Sequence, residues 1–200
     1  MDNISRKSSL RPASFSLILI MAAIAIIGIA CGSDDGTSSD SGAPASGGKI
    51  GFDKIAQPDA VFTIDDLVAV GFKKSKTYDV EGLDGATAAY YGFYGTDPYN
   101  RLEYEVRLYP SHQEALDPGV SFADEATGED AQILESVQRW QVGLTERRQC
   151  AGNGGHHSGK CDNAKYGDYV IRGNMVLLCQ GKDSIGALDA CEDLLAVLPS

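Results

Sequence analysis

An apolar run near the N-terminus determines how much of this chain is left to fold into a domain. Residues 15–30 contain one hydroxyl side chain and no charged residue. A membrane-spanning helix needs about 20 apolar residues and a signal-peptide core roughly 7 to 15, so the run is closer in length to a signal peptide. Arg6, Lys7 and Arg11 precede it as a positive segment. Residues 1–30 are therefore predicted to be a signal peptide.

The apolar run ends in Gly28, Ile29, Ala30 and Cys31. This ending resembles the lipobox of bacterial lipoproteins, in which small residues precede a cysteine that receives diacylglycerol before cleavage. The position of Gly28 is usually Leu or another aliphatic residue. The resemblance implies that Cys31 becomes the lipid-modified N-terminus of a protein that is anchored to the cell membrane on its extracytoplasmic side. Two alternatives stay open: an uncleaved signal anchor, and an ordinary secretory signal, which would leave Cys31 unexplained.

Residues 31–49 are predicted to be a flexible tether between the lipid and the domain. They are rich in Ser, Gly and Asp and contain no aliphatic residue larger than Ala after Cys31, so they cannot form a core. Their three aspartates lack the spacing and the closing Glu of a calcium-binding loop. About 150 residues, 50–200, remain for a single domain with its own hydrophobic core.

The mature chain is strongly acidic. The full sequence has 17 basic and 28 acidic residues, a formal charge of −11, and removal of residues 1–30, with three basic and one acidic residue, leaves −13. Nucleic acid is excluded as a partner, because the electrostatic attraction that drives such binding has the wrong sign. Anionic lipid head groups would also repel this surface, so the acyl chains on Cys31 are predicted to hold the protein at the membrane.

Two β-hairpins are predicted in the folded part. The first joins residues 86–95 to residues 102–109 around a turn that contains proline, and the second joins residues 168–171 to residues 175–179. The last of these segments is apolar on both faces, which is typical of a covered central strand.

One predicted strand, residues 102–109, alternates strictly between apolar and charged side chains. Glu103, Glu105 and Arg107 share one face, and the apolar or aromatic residues between them share the other. Such alternation predicts a sheet with one buried and one solvent-exposed face.

Helix starts are marked by side chains that cap the first turn. The capping residues are Thr63 with Asp66, Ser111 with Glu114, and Asp183 or Ser184. The second of these helices is expected to kink or split at Pro118, because proline interrupts a helix. Residues 129–140 have mixed spacing and are predicted to change from helix to strand near Arg139.

The order of these elements predicts an α+β fold. A short helix is followed twice by two strands and a helix. The expected architecture is a two-layer sandwich, with helices on one face of a mainly antiparallel sheet, stabilised by disulfides.

Four cysteines remain once Cys31 is assigned to lipid. An even number in an extracytoplasmic chain favours two disulfides, and four cysteines allow three pairings. Cys150–Cys161 would close a glycine-rich loop, and Cys179–Cys191 would hold the last helix to its strand. We predict these two bonds, and the crossed pairings stay open.

Adjacent histidines offer one candidate for metal chemistry. His156 and His157 lie between Cys150 and Cys161, and imidazole suits zinc or copper. The ten residues between those cysteines do not match the short ligand spacing of a zinc site, and neighbouring side chains in an extended loop point apart. We therefore predict no cofactor and no metal, with a metal-dependent hydrolase that uses His156 and His157 as the alternative.

Tyrosines are concentrated around the first hairpin. Exposed tyrosines offer flat, amphipathic surface for a sugar or a protein, although cross-strand packing explains such residues equally well. The residues proposed as a binding surface are Tyr90, Tyr94, Tyr99 and Tyr109.

The mature chain as a whole resembles the small envelope lipoproteins of unknown function found in bacteria. The resemblance rests on the lipobox, the acidic tether and a compact domain with cysteines, and it implies a location without implying any catalytic residue. We therefore predict a non-catalytic binding or accessory module at the membrane. Its expected partner is a small molecule, a glycan or an envelope protein. A purely structural envelope role is a further hypothesis.

Overall fold

One mixed β-sheet of six strands is the centre of the fold. The computed structural model describes residues 53–134, 136–144, 147, 149–151 and 163–199, which all belong to one unit, Ser46–Ser200. In chain order the strands are β1 Ile55–Ala56, β2 Lys73–Tyr78, β3 Ala88–Tyr94, β4 Leu102–Leu108, β5 Tyr166–Arg172 and β6 Met175–Gln180. They lie in the order β1-β5-β6-β4-β3-β2. Among the six described strands, only β1 and β5 pair in parallel, so the predicted antiparallel hairpins and the mainly antiparallel sheet are confirmed.

The helices begin where the capping residues predict. The described helices are α1 Ile64–Ala69, α2 His112–Leu116, α3 Gly119–Ala126 and α4 Ser184–Leu195. At the start of α1, the Asp66 carboxylate accepts hydrogen bonds from the backbone N–H and the hydroxyl of Thr63, at 2.8 and 2.7 Å. These bonds lower the pKa of Asp66. Among the described helices, none has both the length and the apolar character that a membrane crossing requires.

The predicted break at Pro118 is confirmed, and it divides the chain into α2 and α3. Proline lacks the amide hydrogen that a continuing helix would use, and its ring clashes with the preceding turn. The Asp117–Pro118 peptide bond is cis. A separate helix, α3, begins at Gly119.

Strand β2 was not expected from the sequence. Its residues are almost all polar, with Lys73, Lys74 and Lys76 among them, so no alternation of apolar and polar residues marks it as a strand. It lies at the edge of the sheet beside β3. Lysines on an edge strand discourage pairing with another chain, which explains why an edge position suits this segment.

Helices cover both faces of the sheet. Met175, Leu177 and Cys179 of β6 pack in one cluster with α1 and α4, whereas Val176 and Leu178 pack in another with α2 and α3. The α+β class is confirmed. The expectation that all helices lie on one face is wrong, because a strand that is apolar on both faces must be removed from water on both.

The predicted change from helix to strand near Arg139 is wrong. Residues 129–134 and 136–140 form turns and irregular backbone. Ile133 and Trp140 are nevertheless 4% and 2% exposed. These two buried side chains attach an irregular segment to the core, and their spacing in the sequence does not correspond to the period of a helix or a strand.

The Cys179–Cys191 disulfide joins β6 to α4, as the sequence favoured. The two Cα atoms are 5.6 Å apart. The strand continues to Gln180, and α4 then returns over the sheet next to Gly181. A Cβ atom at Gly181 would lie 2.4 Å from the backbone nitrogen of Ala187, so only glycine allows this close approach.

Removal of this disulfide should lower the stability of the domain. We expect the double variant Cys179→Ala, Cys191→Ala to lose about 3 kcal/mol of unfolding free energy, because the unfolded chain gains conformational freedom when the crosslink is absent. Urea unfolding of both proteins under oxidising conditions measures the difference. An unchanged midpoint would show that the bond does not constrain the unfolded chain.

Candidate functional site

Two charged residues of β4 that alternation placed on an exposed face are buried. Glu105 is 0% exposed and Arg107 is 1% exposed. Phe122 of α3 and Trp140 cover them. The prediction of an exposed face is therefore wrong at these positions. Alternation shows which side chains share a face, and it does not show what covers that face.

Glu105 and Arg107 form a buried ion pair. They lie two residues apart on one strand, so their side chains are neighbours on the same face. The Nε and Nη2 atoms of Arg107 lie 2.7 and 2.6 Å from Oε1 of Glu105. Nη1 of Arg107 donates to the backbone oxygen of Phe122 at 2.8 Å. The second carboxylate oxygen, Oε2, is buried and has no hydrogen-bond partner among the described residues.

A second arginine, Arg147, lies next to this pair and is 2% exposed. Its guanidinium stacks over the Trp140 ring, 3.7 Å from the ring centre. Its Nη2 atom donates to the backbone oxygen of Trp140 and to Oε1 of Gln138. Gln138 in turn donates to Gln149 at 2.6 Å. The position of Arg147 therefore depends on an irregular segment that carries its own hydrogen-bond network.

A small cavity separates β4 from this irregular segment. Its volume of about 10 Å³ admits one molecule of the size of water. The wall combines apolar and aromatic surface with amide, guanidinium and carboxylate groups. The lining residues are Arg107, Phe122, Glu125, Ala126, Gln138, Trp140, Arg147 and Gln149.

Buried polar atoms without a partner are concentrated around the ion pair. Within the described part of the chain they are Oε2 of Glu105, Nε and Nη1 of Arg147, and the hydroxyls of Tyr109 and Tyr166. We refer to Glu105, Arg107, Tyr109, Arg147 and Tyr166 as the interior polar cluster. Buried polar groups nearly always have partners, and an exception calls for an explanation.

Electrostatics connects the members of the interior polar cluster. Burial raises the pKa of the Tyr166 and Tyr109 hydroxyls; Glu105 raises both further, while Arg107 lowers the pKa of Tyr109. Burial also lowers the pKa of Arg147 to about 10, although Glu105 acts in the opposite direction. Two guanidinium groups face one carboxylate, so the cluster carries one uncompensated positive charge. In its chemistry, such an arrangement is complementary to a polar or negatively charged group.

A separate ionic cluster fastens the start of the domain to the sheet. Lys54 Nζ lies 2.5 Å from Oδ1 of Asp168 and 4.0 Å from the centre of the Tyr169 ring. The hydroxyl of Ser184 donates to Oδ2 of Asp168 at 2.5 Å. These contacts tie residues before β1 to β5 and α4, which is a structural role.

The four tyrosines proposed as a surface are not brought together. Tyr99 is 93% exposed at the turn between β3 and β4. Tyr90 and Tyr94 are partly buried and pack against the cluster that contains α1 and α4. Tyr109 is 1% exposed and cannot belong to a surface, so the prediction is wrong for that residue. Cross-strand and core packing explains three of these four positions.

Several predicted residues lie outside the described residues. They are Cys31, His156, His157 and Cys161. Cys150 is disulfide-bonded, and its pairing with Cys161 stays a prediction. Within the described residues, no group of three or more His, Cys, Asp or Glu side chains is arranged to hold a metal ion.

Comparison with known proteins assigns the chain to a family. A model described as a family of unknown function, DUF6810, matches residues 63–200, which is more than half of the chain. The chain belongs to the DUF6810 family. No curated protein and no solved structure matches it.

The DUF6810 match begins at Thr63, the residue that caps α1, and ends with the chain. All five residues of the interior polar cluster lie within it, whereas residues 1–62 lie outside. Sequence reasoning missed the cluster. The one available signal was a pair of opposite charges, Glu105 and Arg107, on a strand whose neighbour β6 is apolar on both faces.

Charge removal within the cluster should destabilise the domain unequally. Glu105→Gln leaves two buried cations, Arg107 and Arg147, without an anion. Arg107→Met leaves one anion, Glu105, near one cation, Arg147. We expect both to fall in the range of about 3–5 kcal/mol for a broken buried ion pair, with the larger loss for Glu105→Gln. Urea unfolding curves of the two variants provide the comparison. Equal losses of unfolding free energy, or a larger loss for Arg107→Met, would contradict the conclusion that the cluster carries an excess positive charge.

Alkaline pH should unfold the domain through its buried tyrosines. Burial raises the pKa of Tyr104, Tyr166 and Tyr169 in the folded state. Above pH of about 10 the unfolded chain loses these protons first, so stability falls by up to about 1.4 kcal/mol per pH unit for each tyrosine. Absorbance at high pH should show these buried tyrosines ionising together as the domain unfolds. Tyr166→Phe should reduce the slope; ionisation of all tyrosines near pH 10 in the folded protein would refute the mechanism.

Proposed function

We propose that this protein is a lipid-anchored, extracytoplasmic binding or accessory module without catalytic activity. The apolar run of residues 15–30 and the ending Gly28, Ile29, Ala30, Cys31 support the anchor. The tether of residues 31–49 then separates the lipid on Cys31 from the folded domain.

Cysteine chemistry supports the extracytoplasmic location. Cys179 and Cys191 are joined, and Cys150 is also disulfide-bonded. Disulfides persist in oxidising compartments and are rare where thiols are kept reduced. With Cys161 assigned to Cys150, the remaining cysteine is Cys31, which stands at the position that a lipobox requires.

The interior polar cluster carries the proposal of a binding role. Ligand sites combine apolar walls with a few convergent polar groups, and Phe122, Trp140, Arg107 and Arg147 form such a wall around one cavity. The carboxylate of Glu105 is held in an ion pair, and the unpartnered groups are mainly hydrogen-bond donors. This arrangement supports recognition of a ligand about as large as a water molecule, whereas a glycan or an envelope protein, the other proposed partner classes, would bind elsewhere on the domain.

Mass spectrometry of the full chain extracted from membranes tests the anchor. We expect a mass that corresponds to cleavage before Cys31 plus acyl chains. Cys31→Ala is the matched control, and it should yield no acylated form and should no longer fractionate with membranes. Wild-type protein that retains residues 1–30 without acyl mass would overturn the lipoprotein proposal.

A further inference from the structure

The strongest unexplained feature of the interior is a buried cation without an anion of its own. Arg147 is 2% exposed, and its Nε and Nη1 atoms have no hydrogen-bond partner among the described residues. Its third nitrogen, Nη2, is committed to Trp140 and Gln138. Two donors of a fully charged group are therefore held inside the protein with nothing to accept from them.

The nearby carboxylates already form ion pairs with other arginines, and Oε2 of Glu105 is the one carboxylate oxygen of these pairs without a hydrogen-bond partner among the described residues. Oε1 of Glu105 accepts hydrogen bonds from both Nε and Nη2 of Arg107. Both oxygens of Glu125 accept from Arg139, Oε1 from its backbone N–H at 2.8 Å and Oε2 from its Nε at 2.6 Å. Three arginines thus surround two glutamates, and the excess charge belongs to Arg147.

Water alone does not resolve this imbalance. A water molecule can accept a hydrogen bond from Arg147, but it leaves the net charge unchanged, and a buried charge without a counter-charge is costly. An anion accepts the same hydrogen bond and neutralises the charge. The cavity beside Arg107 and Arg147 has a volume of about 10 Å³, so it suits an anion about as large as water.

We propose that the cavity between Arg107, Trp140 and Arg147 binds a small monovalent anion of the halide class, with chloride as the representative. This inference deepens the proposed function by naming a ligand class for the same site. Arg147 donates to the anion, Arg107 adds positive potential, and the Trp140 ring closes one side of the site.

Trp140 provides a direct probe of the site. It is the only tryptophan of the chain, it lines the cavity, and Arg147 stacks on it. Titration of the purified domain with potassium chloride, at ionic strength held constant with potassium gluconate, should change the tryptophan emission along a saturating curve. At tenfold the half-saturation concentration, chloride should raise Tm by roughly 3–6 °C relative to gluconate.

Variants assign the response to Arg147. Arg147→Met should abolish the chloride-dependent changes, and Arg147→Lys should raise the half-saturation concentration about tenfold, because lysine keeps the charge but loses the planar group that stacks on Trp140. Arg101→Met, which removes an exposed arginine, should retain the full response. Circular dichroism verifies that each variant is folded.

Two results would overturn the anion site. One is a wild-type protein that responds equally to chloride and gluconate, or without saturation, and this result needs no variant. The other is a folded Arg147→Met protein with the wild-type response. If either result is obtained and Cys31 is acylated, the proposed ligand class is refuted and the proposed membrane anchor stands. If Cys31 is not acylated, the proposed location is refuted, whatever the protein's response to chloride.

Discussion

Burial of β6 on both faces is the constraint on which the rest of the fold depends. Its residues Met175, Leu177 and Cys179 face one layer of helices, and Val176 and Leu178 face the other. Because β4 pairs directly with β6, β4 must also be covered on both faces. One face of β4 is apolar and joins the larger core. The other face carries Glu105 and Arg107, which are therefore carried into the interior.

The two faces of the sheet consequently have different roles. On the face of α1 and α4, apolar packing and the Cys179–Cys191 disulfide stabilise the domain. On the opposite face, α3 and the irregular segment around Trp140 enclose charges that oppose stability unless they are compensated. Arg147, buried at such a place without a counter-charge of its own, lowers the stability of the domain.

Local features were predictable because short-range physics decides them. The caps at Thr63 and Asp183, the break at Pro118 and both hairpins depend on residues within a few positions of each other. The interior polar cluster was not predictable in the same way. Arg147 reaches β4 through a segment with no helical or strand period, so neither alternation nor spacing connects it with Glu105.

The sequence by itself determined the formal net charge of the chain, its two β-hairpins, the capped starts of α1, α2 and α4, and the break at Pro118. Those properties follow from composition and from contacts between near neighbours. Only the tertiary structure decided that the charged face of β4 is buried and that Arg147 lies beside it. Burial depends on what a distant segment covers, and alternation along one strand contains no information about that segment.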